Sequence, residues 1–499
     1  MKSASEKSTT DWLSLVAFLA IAALVVMLFY IASSYPGPRQ PLTVVIVGLG
    51  ASGMILFRQT RKTTNALITG EARAHYTATH DPLTQLPNKA LLLDRLNAAF
   101  AAMGEKTPGV LCIGIDRFEE VNETLGYGAG DEVIREIAER LLSICPEGGT
   151  LARVSDDTFT LLWASATEKK VAAVADVMIR LLSAPCAATA GHAFVTCSIG
   201  VSFLTSDLDT ASEVLRQAQL ALSHAKKAGG AVFSLFDPEM DEALRTRKAL
   251  EVDLRLALGG DTLRMVYQPQ VNAKGVMCGV EALMRWTHES RGHVSPATFI
   301  PMAESCGMSD DLGRFALRQA FLDARRWAGL KVAVNVSAAQ VRSGRIIPTL
   351  KELLIETGAN PRNFELEITE GVLLADEALT HETLMTIRRL GFALALDDFG
   401  TGYSSLSYLR RFPIDKIKID KSFVAHLGMR PESDAIVKAI VDLADALDLK
   451  VIAEGVETRA QVDRLAAAGC TQIQGYFYSP PVEVDEIDRM HMERLPLAA

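Results

Sequence analysis

Hydrophobic and polar positions divide the 499-residue chain into three regimes. At the start, Trp12 to Ala32 is almost unbroken apolar sequence, close to the ~20 residues a helix needs to cross a bilayer. A shorter apolar run, Leu42 to Phe57, follows a turn-like connection containing Pro36, Gly37, Pro38 and Pro41. Residues 58–79 read as a polar, partly helical connector, and Ala66, Leu67 and Ile68 are too thin a seam for a coiled coil. From His80 the pattern turns mixed. Gly109 to Ile115 predicts a strand and Asp131 to Ile144 an amphipathic helix. Leu151 to Trp163 predicts two strands around a turn, and Phe194 to Phe203 another strand. From about Leu244 one theme repeats, a short apolar strand ending in a polar residue and then a helical segment. The pattern therefore predicts an α/β protein. It has an N-terminal transmembrane helical hairpin at 1–57 (helices about 12–32 and 42–57), a linker at 58–79, an α/β domain at 80–237 and a (β/α) TIM-like barrel at 244–493.

Arg58, Arg61 and Lys62 follow the second apolar run at once and place that end in the cytoplasm. Lys2 and Lys7 are diluted by Glu6 and Asp11, and Arg39 in the connection is a contrary vote. The expectation is a membrane hairpin with both ends cytoplasmic. A secretory signal peptide fits less well, because the first run is long for one and a second run follows. Gly48-Leu49-Gly50-Ala51-Ser52-Gly53 matches the G-x-G-x-x-G dinucleotide pattern, but it lacks the βαβ context that motif needs. Small residues there serve close packing of membrane helices instead.

Charge narrows the classes. The formal net charge is −9, which argues against a nucleic-acid polymer as partner. The seven cysteines are scattered, with no CxxC pair or zinc spacing, and read as reduced thiols.

The repeating region carries the candidate chemistry. Its strands end at Val280-Glu281, Val334-Asn335, Leu366-Glu367, Leu396-Asp397-Asp398, Ile417-Lys418-Ile419-Asp420, Ala453-Glu454 and Ile473-Gln474, with Met265-Val266-Tyr267 as a first strand. In a (β/α) barrel the C-terminal strand ends form the active-site face, so these residues fall in one ring. A lone acid is usually a paired structural group, but polar residues ending seven successive strands do not read as core, because burying unpaired charge is costly. Oxygen ligands without Cys or His suit Mg²⁺ or Mn²⁺ over zinc. The adjacent Asp397 and Asp398 can divide between two ions ~4 Å apart, the arrangement that clamps an in-line displacement at phosphorus. Lys418 adds a charge able to orient water or neutralise developing charge.

The middle region resembles GGDEF diguanylate cyclase domains. The likeness rests on Asp81-Pro82-Leu83-Thr84-Gln85-Leu86-Pro87-Asn88, Asn122…Leu125-Gly126…Gly130-Asp131, Cys197-Ser198-Ile199-Gly200-Val201 and Ala225-Lys226-Lys227. It implies a cyclase-like, ferredoxin-like palm. This copy departs from the family at the chemistry. The signature turn reads Ser155-Asp156-Asp157-Thr158-Phe159, so both glycines are lost and Thr158 replaces a carboxylate. Gly114 stands where the family's first metal-binding aspartate belongs, Glu119 where a lysine is usual and Gly230 where an arginine is usual. Phosphoryl transfer rests on positioning and charge neutralisation, so no cyclase activity is expected. The inhibitory Arg-x-x-Asp motif is also absent, Pro146-Glu147-Gly148-Gly149 standing there. Asn122 and Asp131 match guanine-contacting positions and Asp157 keeps one carboxylate. The resemblance thus leaves GTP as a regulatory ligand or the domain as a dimerising spacer.

The C-terminal region resembles EAL phosphodiesterases. It carries Tyr267-Gln268-Pro269, Glu281-Ala282-Leu283-Met284-Arg285-Trp286, Phe299-Ile300-Pro301-Met302-Ala303-Glu304, Asn335-Val336-Ser337 and Glu367-Ile368-Thr369-Glu370. Asp397-Asp398-Phe399-Gly400-Thr401-Gly402-Tyr403-Ser404-Ser405, Lys418-Ile419-Asp420, Glu454-Gly455-Val456-Glu457-Thr458 and Gln474-Gly475-Tyr476 complete the set. The resemblance implies hydrolysis of cyclic di-GMP to linear pGpG with two Mg²⁺ or Mn²⁺. Glu281, Asn335, Glu367 and Asp397 would hold one ion, and Asp397, Asp398 and Glu454 the other. Glu454 or Lys418 would activate water, with Glu457 and Gln474 in support. Gln268, Leu283 and Arg285 would meet the substrate, and Glu370 would anchor the loop Asp398 to Ser405. It further implies a homodimer at the bacterial inner membrane, with the catalytic domains facing the cytoplasm. A non-catalytic cyclic di-GMP receptor and a bifunctional cyclase/phosphodiesterase are the rival readings. No metal position is broken, which disfavours the receptor; Gly114 and Thr158 disfavour the second.

Two shorter matches are decoys. Asp398-Phe399-Gly400 lacks the other kinase motifs, and His288 and His293 do not have H-E-x-x-H spacing.

Overall fold

A computed structural model describes residues 76–102, 107–189, 191–205, 210–373, 377–400 and 406–493, with scattered positions between 20 and 62. Within the expected hairpin helix at 12–32, residues 22–31 are helical, while most of the expected helix at 42–57 and most of the linker lie outside the described residues. Among the described residues no helix is long and apolar enough to cross a membrane. The chain divides into two compact units, Met1–Glu242 and Ala243–Ala499.

The first unit is built on a five-stranded sheet. Its strands are β1 (Gly109–Ile115), β2 (Gly149–Arg153), β3 (Thr158–Trp163), β6 (Cys197–Phe203) and β7 (Phe233–Leu235), in the order β2-β3-β1-β6-β7. Only the β6–β7 pair is parallel. Every residue of the central β1 is buried, as its continuous apolar run requires. Two expectations shift. The helix foreseen from Asp131 starts at Tyr127, because Gly126, at φ +85°, ends the preceding helix Phe118–Leu125 and lets the next begin at once. The strand foreseen from Phe194 starts at Cys197, since β4 (Cys186–Ala188) and β5 (Gly191–Ala193) pair as a separate small hairpin.

The second unit is a barrel. Its strands are β8 (Leu263–Asn272), β9 (Met277–His288), β11 (Lys331–Asn335), β12 (Phe364–Thr369), β13 (Ala393–Phe399), β14 (Lys416–Ile419), β15 (Lys450–Ala453) and β16 (Gln472–Ile473). They run in the order β9-β11-β12-β13-β14-β15-β16-β8, closed by β8–β9, with β10 (Gly292–Val294) appended to β9. The barrel is not all-parallel, as the repeat suggested. β8 runs antiparallel to both neighbours. The reason is local: residues 273–276 join β8 to β9, and so short a turn can connect only antiparallel strands.

Alternation along each strand sorts the side chains into two sets. Val280, Ala282, Val332, Val334, Leu366, Ile368, Leu394, Leu396, Ile417, Ile419, Val451 and Ala453 belong to the apolar core between sheet and helices. The residues between them point into the barrel, and many are polar: Glu281, Glu365, Glu367, Lys416, Lys418, Gln270 and Gln474 are all buried.

Candidate functional site

The strand ends foreseen in the sequence meet at one mouth of the barrel. Lys418, 1% exposed, sits among four carboxylates. Its Nζ lies 2.6 Å from Glu454 Oε1, 2.8 Å from Glu367 Oε2, 3.0 Å from Asp397 Oδ1 and 3.7 Å from Glu281 Oε1. Asn335 Nδ2 donates to Glu281 Oε1 at 2.8 Å and Gln474 Nε2 to Glu281 Oε2 at 2.5 Å. Gln474 also reaches Gln268 Oε1 at 3.0 Å and accepts from Gln270 Nε2 at 3.0 Å.

The electrostatics follow from one ammonium serving four acids. Burial opposes the charge on Lys418, but Glu281, Glu367, Glu454 and Asp397 outweigh it and hold the ammonium protonated well above the usual lysine range. Burial, reinforced by Glu281, pushes the Glu367 carboxyl well up. Burial also pushes Glu454 up to about 7 against the pull of Lys418, and raises Asp398 beside Asp397. Burial acts on Glu281 in the same sense, but Lys418 and the Gln474 and Asn335 amides prevail and lower it.

This cluster fits divalent cations on two observations. Glu367 Oε1 is buried without a hydrogen-bond partner, an oxygen left for a ligand. Asp397, Asp398 and Glu454 each offer an oxygen within 4.8 Å of the others. Backbone geometry arranges the acidic pair. β13 and β14 lose register between Leu396 and Phe399, and Asp398 takes φ +53°. A bulge of this kind re-aims side chains and is common beside active sites.

The neighbouring residues have distinct fates. Glu370 Oε1 accepts the Gly400 amide at 2.7 Å, tying the start of the expected loop; Thr401 to Ser405 lie outside the described residues. Leu283, Arg285 and Asn335 line a cavity of about 270 Å³ with Ile300, Leu312 and Ser337. Gln268 is buried and donates to the Ser479 carbonyl at 3.1 Å, so it belongs to the network under the site. Glu457 is exposed, its amide held by Gln461 Oε1 at 2.8 Å, and it stands outside the carboxylate cluster. Sequence reading missed Gln270, Glu365 and Lys416. The signal was there: each lies two residues before or after a named inward residue on the same strand.

In the first unit the altered signature turn joins β2 to β3, and Phe159 is buried in the core. Thr158 Oγ1 donates to Asp157 Oδ1 at 2.9 Å. Lys226 Nζ bonds Asp157 Oδ2 and the Ile115 carbonyl, both at 3.0 Å. It crosses directly over Gly114, where an added Cβ would meet Lys226 Cε at 2.7 Å. Ser155 and Asp156 are exposed. Asn122 Oδ1 fills the space a Gly130 side chain would need, and Asp131 is exposed on the helix Tyr127–Ser143.

Comparison with known proteins agrees with this layout. Residues 78–231 match the diguanylate cyclase GGDEF domain and residues 251–481 the EAL domain. A signaling protein of Caulobacter vibrioides is 40% identical over 424 residues, 84% of this chain and 52% of that protein. The bifunctional diguanylate cyclase/cyclic di-GMP phosphodiesterase MucR of Pseudomonas aeruginosa is 34% identical over 89% of this chain and 67% of its own length. The chain thus spans about half to two thirds of these relatives. The S helix-GGDEF-EAL part of Vibrio cholerae LapD, solved bound to c-di-GMP, aligns with a TM-score of 0.56 at 21% identity, over 83% of this chain and 99% of that one, a likeness of fold. With both domain types in this order and the similarity to MucR running almost end to end, the chain belongs to the family of tandem GGDEF–EAL proteins.

Proposed function

We propose that the second unit hydrolyses cyclic di-GMP to linear pGpG. The observation that carries this reading is the ring of Glu281, Glu367, Asp397 and Glu454 around the buried Lys418, in which one buried Glu367 oxygen has no hydrogen-bond partner. The name of MucR includes the same activity. Glu281, Asn335, Glu367 and Asp397 would hold one Mg²⁺ or Mn²⁺, and Asp397, Asp398 and Glu454 a second. Such ions supply Lewis-acid polarisation of the phosphodiester and a more acidic water. The chain's own groups do the rest. Glu454, within reach of both Asp397 and Asp398, takes the proton as water oxygen bonds to phosphorus. The P–O3′ bond breaks, and the departing O3′ takes that proton from Glu454, leaving a 5′-phosphate and a 3′-hydroxyl. Lys418 neutralises charge developing on the phosphoryl oxygens. Leu283 and Arg285, on the wall of the adjacent cavity, contact the substrate's base and phosphate.

The first unit is assigned a regulatory or dimerising role without cyclase activity. Lys226 pairs with Asp157 over Gly114, where a metal would be held. GTP is its proposed ligand through Asn122 and Asp131. The apolar runs before residue 58 are the basis for a two-helix anchor in the bacterial inner membrane with the catalytic units cytoplasmic, and the family resemblance is the basis for a homodimer.

The test is product analysis on the full chain in detergent with cyclic di-GMP, Mn²⁺ or Mg²⁺, with and without GTP. Formation of pGpG that stops on chelation supports the reading. Tight binding without turnover would establish a receptor instead.

A further inference from the structure

Below the site lies a second acid–lysine pair that the reaction does not touch. Lys416 Nζ is 2.6 Å from Glu365 Oε1, with Lys416 3% and Glu365 4% exposed. Each residue is two positions before a site residue on the same strand, Glu365 below Glu367 on β12 and Lys416 below Lys418 on β14. The two pairs are therefore stacked, and both span β13, which lies between β12 and β14. The inward residues of β13 there are Ala393 and Ala395, in register with Glu365 and Glu367. Ala395 is also in register with Lys416. These small side chains leave room for both lysines to cross.

The crossing matters because the β13–β14 ladder is interrupted between Leu396 and Phe399, where pairing resumes with Ile419. β12 still pairs with β13 up to Thr369 and Asp397, so at Asp397 and Asp398 it is the β13–β14 spacing that the bulge leaves without regular register. We infer that the Glu365–Lys416 pair is a positioning device for the reaction proposed above. It ties β12 to β14 beneath the bulge, and so sets where Glu367 and Lys418 meet the metal-binding carboxylates. Glu365 Oε1 takes no aligned hydrogen bond, so Lys416 is its neutralising partner. An apolar pair would fill this space at no loss of stability, since buried ion pairs are often neutral or inferior to hydrophobic substitutes. The pair's contribution is therefore to geometry.

That distinction gives the test, made on the full chain. Glu365→Leu combined with Lys416→Met removes both charges together. The melting temperature should be unchanged or higher, while Mn²⁺ affinity and kcat each fall at least about tenfold, the scale set by groups that orient metal ligands. KM for cyclic di-GMP should stay within about twofold, because no substrate contact is lost. Reversing the pair, Glu365→Lys with Lys416→Glu, should bring Mn²⁺ affinity and kcat back toward wild type. Should the apolar double fail to fold, Glu365→Gln combined with Lys416→Met, which removes both charges while keeping the glutamate's shape, makes the same comparison. Wild-type Mn²⁺ affinity and kcat in the charge-free variant would overturn the inference, as would a reversed pair no better than the charge-free one. A wild-type chain that neither binds Mn²⁺ nor turns over cyclic di-GMP would instead overturn the phosphodiesterase reading.

Discussion

Lys418 shows how a single residue organises the site. One ammonium cannot balance four carboxylates, and the excess negative charge is what a divalent ion relieves. Removing the lysine leaves buried acids uncompensated, a change that costs about 3–5 kcal/mol for a buried pair. Lys418→Met should therefore lower the melting temperature of the second unit in EDTA, and saturating Mn²⁺ should recover much of the loss; equal melting with and without metal would contradict this. Asp81 offers a pH test in the first unit. Burial opposes its charge, but the Thr84 hydroxyl and amide and Arg153 outweigh burial and hold its carboxyl below 3.8. A group depressed in the folded state stabilises above its unfolded pKa and loses that contribution as pH falls through the folded one. Asp81→Ala should thus destabilise the first unit by about 1–3 kcal/mol at pH 7. The gap should close as the medium is acidified below about 3.8, as denaturant melts across pH would show. Residue identity was the most legible level in the sequence, because each metal-type side chain sits at a strand end. What sequence could not show was committed bonding: Gln268 faces a network with Gln474 and Ser479, and Glu457 stands apart.

At the scale of elements, the telling feature is how strand ends and turns fix or forbid chemistry. The helix Ala211–Lys227 delivers Lys226 over the end of β1, where Gly114 leaves it room. Thr158→Glu alone should accordingly form no cyclic di-GMP from GTP, because Gly114 still lacks a carboxylate, and Gly114→Asp alone should add none, because Thr158 still lacks one. Product from GTP in either variant would refute the account. In the barrel, Glu370→Ala frees the Gly400 amide and should lower kcat by about tenfold with little change in melting, the magnitude common for groups that orient a metal site; an unchanged kcat would separate that loop from catalysis. The strand–helix repeat was legible because apolar strands and polar ends recur. The antiparallel β8 was not, since an apolar strand reads alike in either direction and only the four-residue turn to β9 decides it. The bulge at Asp398 was equally hidden: φ +53° on an aspartate is imposed by the β13–β14 register, not by composition.

For the whole molecule, two units with separate cores should unfold as two events. Calorimetry on the full chain should show two transitions, only one of them raised by Mn²⁺, by ~2.7 kcal/mol at a concentration a hundredfold over Kd. A single transition, or both moving together, would contradict metal binding confined to the barrel. The domain order was readable from the change of period along the chain. The polar interior was not, because (β/α) barrels are usually filled with branched aliphatic side chains; here Glu365, Lys416 and Gln270 extend the polar lining beneath the mouth. Asp397 is the one carboxylate proposed to hold both ions. The most direct test of the account is cyclic di-GMP turnover by wild type and Asp397→Asn side by side in Mn²⁺. Wild type should yield pGpG, and the variant should lose at least about a hundredfold in rate while melting normally; Asp397→Asn working at the wild-type rate would contradict the two-ion site and the mechanism built on it.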